Sequence, residues 1–359
     1  MKTVIIVTYI DFWRGGAGHR TRLAAMINFL KNKASITIAY IGPYQNGDDD
    51  LIAKNYAWLN LHFLEKNVQL AIESYAHKFS EFIKNKHFDI AILEYIEMYM
   101  ILDYFPESTI TILDTHDILS DKIASFKSSK MNYEGMNISF DQEMRLFSEF
   151  DHVMLINKND YKRVSLEISP DKLLLIPHPS SFTKKEIREN AAVISFVGSD
   201  YQPNIEAMKW FLSKVWPYIL SKDSYLNIYG HVCRFLKPYT FADNRIRLFN
   251  YVENINEVYS ISDILVNPVS CGAGLKIKNV EALANGLPLI TTTHGASGLE
   301  EAYPLSYLKA DCAADFINVL NDLIVNYDLR KTISDNSYAY ARETFSEEVC
   351  FSPLLRFLN

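Results

Sequence analysis

The stretch that most constrains this chain runs from Ile264 to Leu299 and reads ILVNPVSCGAGLKIKNVEALANGLPLITTTHGASGL. It predicts a short apolar strand over Ile264–Val266, a loop carrying Gly272 and Gly274, a helix from about Lys276 to Asn285, and a second strand through Pro288–Thr292. This is one strand, loop, helix, strand unit of a parallel sheet, with glycines where a ligand must come close to backbone. Within the helix Ile277, Val280, Leu283 and Ala284 share an apolar face, while Lys278 and Glu281 lie one turn apart on another. Asn285-Gly286 supplies the stop.

The charges at the start of this helix are unusual. Lys276 and Lys278 fall in its first turn, where the macrodipole is positive and a cation costs roughly 0.3–1 kcal/mol. A phosphate or diphosphate docked on the free N–H groups would offset that repulsion. Glu281, further along, could then accept hydrogen bonds from a ribose diol. The alternative is that both lysines reach into solvent and Glu281 pairs with Lys278 at the surface for a few tenths of a kcal/mol.

Strand and helix patterns alternate along the rest of the chain. Strands are expected at Thr3–Thr8, Ile36–Ile41, Ile90–Leu93, Thr109–Leu113, Asp151–Ile156 and Leu173–Ile176. After the polar stretch SSFTKKEIREN they resume at Ala192–Val197, Tyr225–Tyr229 and Ile246–Leu248. Helices are expected through about Lys31, near Val68–Asn85, over Asp141–Phe150, from about Asn204 to Leu220, and across about Phe316–Phe357. A chain of 359 residues, 48% apolar, can bury two such α/β cores. The expected domains are 1–182 and 190–340, with 341–359 as a closing helical segment.

With a net charge of −7, a broad nucleic-acid surface is not expected. Cys233, Cys271, Cys312 and Cys350 are far apart and show no CxxC pairing, which fits a reducing compartment and argues against structural zinc. The opening MKTVIIVTYI turns polar too early for a signal peptide, and no apolar run approaches the roughly 18 residues that span a bilayer. A cytoplasmic protein is therefore expected.

Three further features of the first half bear on chemistry. Gly16-Ala17-Gly18 follows the first strand, with His19 and Arg20 at the start of the next helix. It reads either as a ligand-facing loop or as a tight strand-to-helix turn. The third glycine of GxGxxG and the acidic residue after the next strand are both missing, so a dinucleotide fingerprint is not supported. His116 projects from a strand end between Asp114 and Asp117, which could fix its tautomer; the same residues could simply cap a helix near Ile118. Asp48-Asp49-Asp50, after Gly47, is expected to be an exposed acidic turn and no metal site.

At GAGLKIKNVEALANGLPLITTTHGASGL the chain resembles the nucleotide-sugar signature of retaining, GT-B-fold glycosyltransferases of the family 4 type, the glycosyl transferases of group 1. The resemblance covers most of the chain and is more specific in the second half. It implies two doubly wound Rossmann-like α/β domains facing across a cleft, the first on the acceptor side and the second holding the donor. It also implies that the closing helix crosses back to the first domain. In that family the residue matching Glu281 binds the ribose. The loop matching Gly272, Ala273, Gly274 and Leu275, with Lys276 and Lys278, binds diphosphate and sugar.

The resemblance further places Gly16 and Gly18 beside donor phosphate or acceptor, Gly198 and Ser199 in the loop after the second domain's first strand, and Tyr251 and Val252 near the base. His116 would stand near the donor sugar. Two departures matter. Ala273 stands where many relatives carry a second Glu, and Gly198–Asn204 lacks the Arg and Lys that relatives often have there. The expected catalytic set is His116, Lys276 and Lys278, with no metal and no cofactor beyond the nucleotide sugar.

Retaining enzymes of this fold are generally thought to let the departing diphosphate take the acceptor proton, which leaves the protein an electrostatic task. The implied activity is transfer of a sugar from a UDP- or GDP-linked donor to a glycan or lipid-linked acceptor in bacterial surface polysaccharide synthesis, capsule or lipopolysaccharide. A lipid acceptor would bring peripheral contact with the inner membrane face. Trp13, Tyr95 and Tyr99 follow strand ends where an acceptor sugar could stack, with core packing as the alternative for each. An epimerase or hydrolase of the same fold, and a silent nucleotide-binding subunit, remain as other readings.

Overall fold

The computed structural model describes residues 1–65, 72–239, 243–252 and 254–358. The chain divides into two compact units. The first comprises Met1–Ala124, Tyr133–Pro177 and Cys350–Asn359, and the second Ser125–Asn132 and His178–Val349.

The first unit carries strands β1 (Thr3–Thr8), β2 (Ser35–Ile41), β3 (Asn60–Glu65), β4 (Ile90–Glu94), β5 (Ile110–Asp114), β6 (His152–Leu155) and β7 (Leu173–Leu175). They pair in parallel in the order β3-β2-β1-β4-β5-β6-β7. Continuous apolar runs such as TVIIVT suit strands covered on both faces. The pleat sorts them accordingly: Val4, Ile6, Ile36 and Ile38 enter one core, and Ile5, Val7, Ala39 and Ile41 the other. Phe351 and Leu354, from the returning end of the chain, complete the first of these cores, and Phe351 packs against Phe29 at 5.3 Å between ring centres.

The second unit repeats the plan with β8 (Val193–Val197), β9 (Tyr225–Tyr229), β10 (Ile246–Phe249), β11 (Ile264–Asn267), β12 (Leu289–Thr291) and β13 (Leu308–Lys309), ordered β10-β9-β8-β11-β12-β13 and all parallel. In both sheets the strand order reverses beside the first strand, so ligands are expected at the carboxyl ends of the strands flanking it.

Several expected elements shift. Asp48-Asp49-Asp50 is no exposed turn: it opens the helix Asp48–Tyr56, as acidic residues do against a positive helix end. Asp48 is buried and held by Arg14, Nε to Oδ1 at 2.7 Å and Nη2 to Oδ2 at 2.5 Å. The helix expected to Leu220 is Gln202–Lys214, followed by a separate 3-10 turn Trp216–Tyr218, because Pro217 cannot continue an α-helical ladder. The closing stretch is three helices, Ala313–Val325, Tyr327–Phe345 and Glu347–Phe351, and a 3-10 turn Ser352–Phe357. The return to the first unit begins at Cys350.

The helix expected over Val68–Asn85 is seen as Ile72–Ile83; residues 66–71 lie outside the described residues. The polar stretch after Pro179 forms no regular element, yet it is tied to the second unit. Arg188 and Lys185 bind Asp263 at 2.6 and 3.1 Å, and Arg330 donates to the carbonyls of Arg188 and Glu189. No helix among the described residues is long and apolar enough to cross a membrane.

Candidate active site

In the second unit the donor-side candidates follow the carboxyl ends of β8, β10 and β11. The helix Ile277–Ala284 begins one residue later than its sequence suggests, with Lys276 as its N-cap. Gly272 and Gly274 take φ of 106° and 67°, a left-handed backbone that a side chain would strain. Lys276 is not free in the first turn. Its ammonium folds back onto the carbonyls of Ala273 and Gly274, both at 3.0 Å, and so holds the loop's shape.

Lys278, in the first turn, behaves differently. Its Nζ donates to Asn204 Oδ1 at 2.7 Å and lies 4.2 Å from the centre of the Phe196 ring. Asn204 belongs to the helix after β8, and its Nδ2 reaches back to the Ser199 carbonyl at 3.3 Å. Gly198 and Gly230 bring their backbones together, since a Cβ on Gly230 would lie 2.3 Å from the Gly198 oxygen. The Gly198-Ser199 loop, Asn204 and Lys278 therefore form one cluster. Lys278 thus brings an ammonium beside the loop after β8, where Gly198–Asn204 carries no cation of its own.

Glu281 lies on the same helix, one turn on. The Tyr259 hydroxyl, from the helix preceding β11, donates to Glu281 Oε2 at 2.5 Å. Neither charge is a solvated surface group, as the ion-pair alternative required. Burial, then repulsion from Lys276, pushes Lys278 down to about 7, with Glu281 opposing. Burial pushes Glu281 up to about 7, against the Tyr259 bond and Lys278. Each charged form is held under stress that an anionic, hydroxyl-bearing ligand would relieve. Tyr251 and Val252 follow β10, Tyr251 exposed and Val252 partly so.

In the first unit, β4 and β5 place Glu94 opposite Asp114 at their carboxyl ends. Arg22, from the helix Gly18–Leu30, binds both Asp114 oxygens at 2.8 and 2.9 Å and is fully buried. His116 follows with a φ of 57°, and its Nε2 lies 2.6 Å from Glu94 Oε2. Asp114 is at 3.9 Å from that nitrogen, and Asp117 is engaged by Lys122 at 3.1 Å. Thus Glu94, not the flanking aspartates, fixes the ring. Tyr95 has a φ of 70°, stacks on His116 at 4.2 Å and is itself stacked on Tyr9 at 5.3 Å. Two consecutive strand ends thus carry non-glycine residues in left-handed backbone, a conformation that costs on the order of 1–3 kcal/mol each and concentrates at functional sites.

Glu94, Asp114 and His116 bring their ligand atoms within 4.8 Å of one another. Arg22 takes both Asp114 oxygens and His116 faces one of Glu94, so each of the three groups has a partner within the chain.

Gly16 has a φ of 74° with open space where a side chain would stand, whereas Gly18 is the first residue of the following helix. Gly16, Gly18 and His116 belong to the first unit, and the remaining candidates to the second. Trp13 is core: it is buried, edge-on to Phe12, Tyr40 and Phe63. Glu94, Arg22, Tyr259 and Asn204 are the site residues that sequence reading missed. His294 joins them: burial and Lys276 lower its pKa, and it meets the backbone of Cys271 and Gly272.

Residues 191–326 match the family described as Glycosyl transferases group 1. A Klebsiella pneumoniae protein described as an uncharacterized 44.6 kDa protein in the cps region is 24% identical over 295 residues, 76% of this chain and 74% of that one. Among solved structures, sucrose-phosphate synthase from Thermosynechococcus elongatus superposes with a TM-score of 0.77 at 12% identity, covering 100% of this chain and 99% of that chain. HepE of Anabaena, solved in complex with UDP and glucose, gives 0.69 at 12%, with the same coverage. The fold is therefore that of GT-B glycosyltransferases. The match to the glycosyl transferases of group 1 is confined to residues 191–326.

Proposed function

We propose that this chain is a retaining glycosyltransferase that moves a sugar from a nucleoside-diphosphate sugar to a glycan or glycolipid acceptor in bacterial surface polysaccharide synthesis. One observation carries the reading: a partly buried ammonium, Lys278, near the N-terminus of a helix that also bears the Tyr259-held Glu281. That pairing suits a diphosphate followed by a ribose diol.

The bond from C1 of the sugar to the diphosphate oxygen breaks, the acceptor oxygen bonds to C1, and the acceptor proton passes to the departing diphosphate on the same face. Lys278 and the helix N-terminus stabilise the charge that develops there. Lys276 shapes the Gly272–Leu275 loop against the diphosphate and sugar. Gly198, Ser199, Tyr251 and Val252 border the nucleotide, Gly16 and Gly18 the donor or acceptor from the first domain, and His116 the donor sugar. The positive charge is supplied by side chains, and no metal is assigned a step. The UDP and glucose bound to HepE and the cps region of the Klebsiella relative agree with a UDP-linked hexose and a capsule-type product. The work is assigned to the cytoplasmic side, with peripheral membrane contact if the acceptor is a lipid.

A thermal-shift panel of UDP, GDP, CDP, ADP and NAD, with and without magnesium, tests the donor site. Stabilisation by one nucleoside diphosphate is expected, unchanged by magnesium and lost in Lys278→Met; a ligand at 100 times its Kd adds about 2.7 kcal/mol. Stabilisation by NAD alone, or by none of the five, would overturn the reading.

A further inference from the structure

We propose that Glu94 is a positioning residue for the transfer reaction: by holding Nε2 of His116 it makes Nδ1 a standing N–H donor for an oxygen of the donor sugar. This rests on the transferase reading above.

Charge balance is the core of it. Arg22 and Asp114 neutralise each other through two buried bonds. Glu94, fully buried in the same cluster, is left with His116 as its hydrogen-bonded partner at 2.6 Å. Burial first, and then Asp114, oppose a lone charge on Glu94. The Glu94 and His116 pair is therefore favoured as a whole when neutral. A neutral pair has two arrangements: carboxylate with imidazolium, or carboxylic acid with an imidazole protonated on Nδ1. Nδ1 carries a proton in both. Without Glu94 the ring would be free to leave Nδ1 bare.

The surroundings fit a held ring rather than a filler. Tyr95 stacks on one face of His116 and is backed by Tyr9. The left-handed backbone at Tyr95 and His116 sets both rings at the strand ends. Other charged groups around the pair are engaged or more distant: Asp117 binds Lys122, burial lifts the Glu97 carboxyl, with Asp117 also raising it and Lys122 and His116 opposing, and burial, His116 and Arg20 hold His19 low, at about 4. No hydrogen bond to Nδ1 is found among the described residues.

Nitrogen-15 NMR of the imidazole in the full-length protein, at about pH 7.5, tests this directly. Wild type should show Nδ1 protonated, and Glu94→Gln should shift it toward the unprotonated position. With the nucleotide sugar that the protein consumes, Glu94→Gln should lose about tenfold or more in kcat at nearly unchanged donor KM. The double variant Glu94→Gln with His116→Ala should be no slower than His116→Ala alone. Retained nucleotide stabilisation shows that Glu94→Gln is folded. A bare Nδ1 in wild type, which needs no variant, or a protonated Nδ1 and full kcat in Glu94→Gln, would overturn the proposal. If wild type turns over no nucleotide sugar the transferase reading falls, and the NMR result still decides whether Glu94 sets the tautomer.

Discussion

Replacing Glu281 by Gln should stabilise the protein and weaken nucleotide binding at once. Burial raises the Glu281 carboxyl from 4.5 to about 7, so the folded state binds a proton that the unfolded chain, titrating near its ordinary value, has released. Stability contributed by this group is therefore full below about pH 4.5, falls as pH rises to about 7, and stays low above it. The difference corresponds to about 3 kcal/mol at pH 8. Gln keeps the shape and an oxygen for the Tyr259 hydroxyl, and carries no charge to desolvate. Glu281→Gln should thus melt several degrees above wild type at pH 8, since about 1 kcal/mol moves the midpoint of a domain this size by roughly 2–4 °C, with no such gain at pH 4.5. Calorimetric scans across that range measure the gap, and titration with the nucleotide identified in the panel measures the affinity. A variant less stable than wild type at pH 8, or a gap independent of pH, would refute the reasoning.

Two other outcomes follow from the same cluster and its counterpart in the first domain. Lys278 titrates near 7, so its ammonium is lost above that value; affinity for the intact nucleotide sugar should fall from pH 7 to 9 in wild type and be low and flat over that range in Lys278→Met, as read by isothermal titration. Asp114→Asn leaves the buried Arg22 guanidinium without its anion and should destabilise the first domain by about 3–5 kcal/mol, visible as an earlier thermal transition that nucleotide does not rescue to the wild-type value.

The strands were legible where they are covered on both faces. Thr3–Thr8 and Tyr225–Tyr229 read directly from their runs, because apolar side chains there must alternate into two cores. Asn60–Glu65 was missed, since its polar members break the run. Asp48 misled because an acidic triplet after glycine looks like a solvated turn, and only the fold brings Arg14 across from the loop after β1. The donor helix was readable from its lysines and glutamate. What the lysines do was not: the separation of Lys276, turned onto its own loop, from Lys278, packed against Asn204 and Phe196, depends on a helix 74 residues away in sequence. Likewise Glu94 meets His116 only through the pairing of β4 with β5, and Arg22 meets Asp114 across 92 residues. Local pattern carries the strands and helices; charge pairing across strand ends does not appear in it.

The most direct test of the central claim is a proton NMR time course of the protein with the nucleotide sugar that the binding panel selects and a panel of simple glycoside acceptors. Consumption of the donor, release of the nucleoside diphosphate and a new glycosidic linkage of the donor's own anomeric configuration are expected. A product of inverted configuration would contradict the retaining mechanism, and a donor that binds yet is never consumed would contradict the transferase itself.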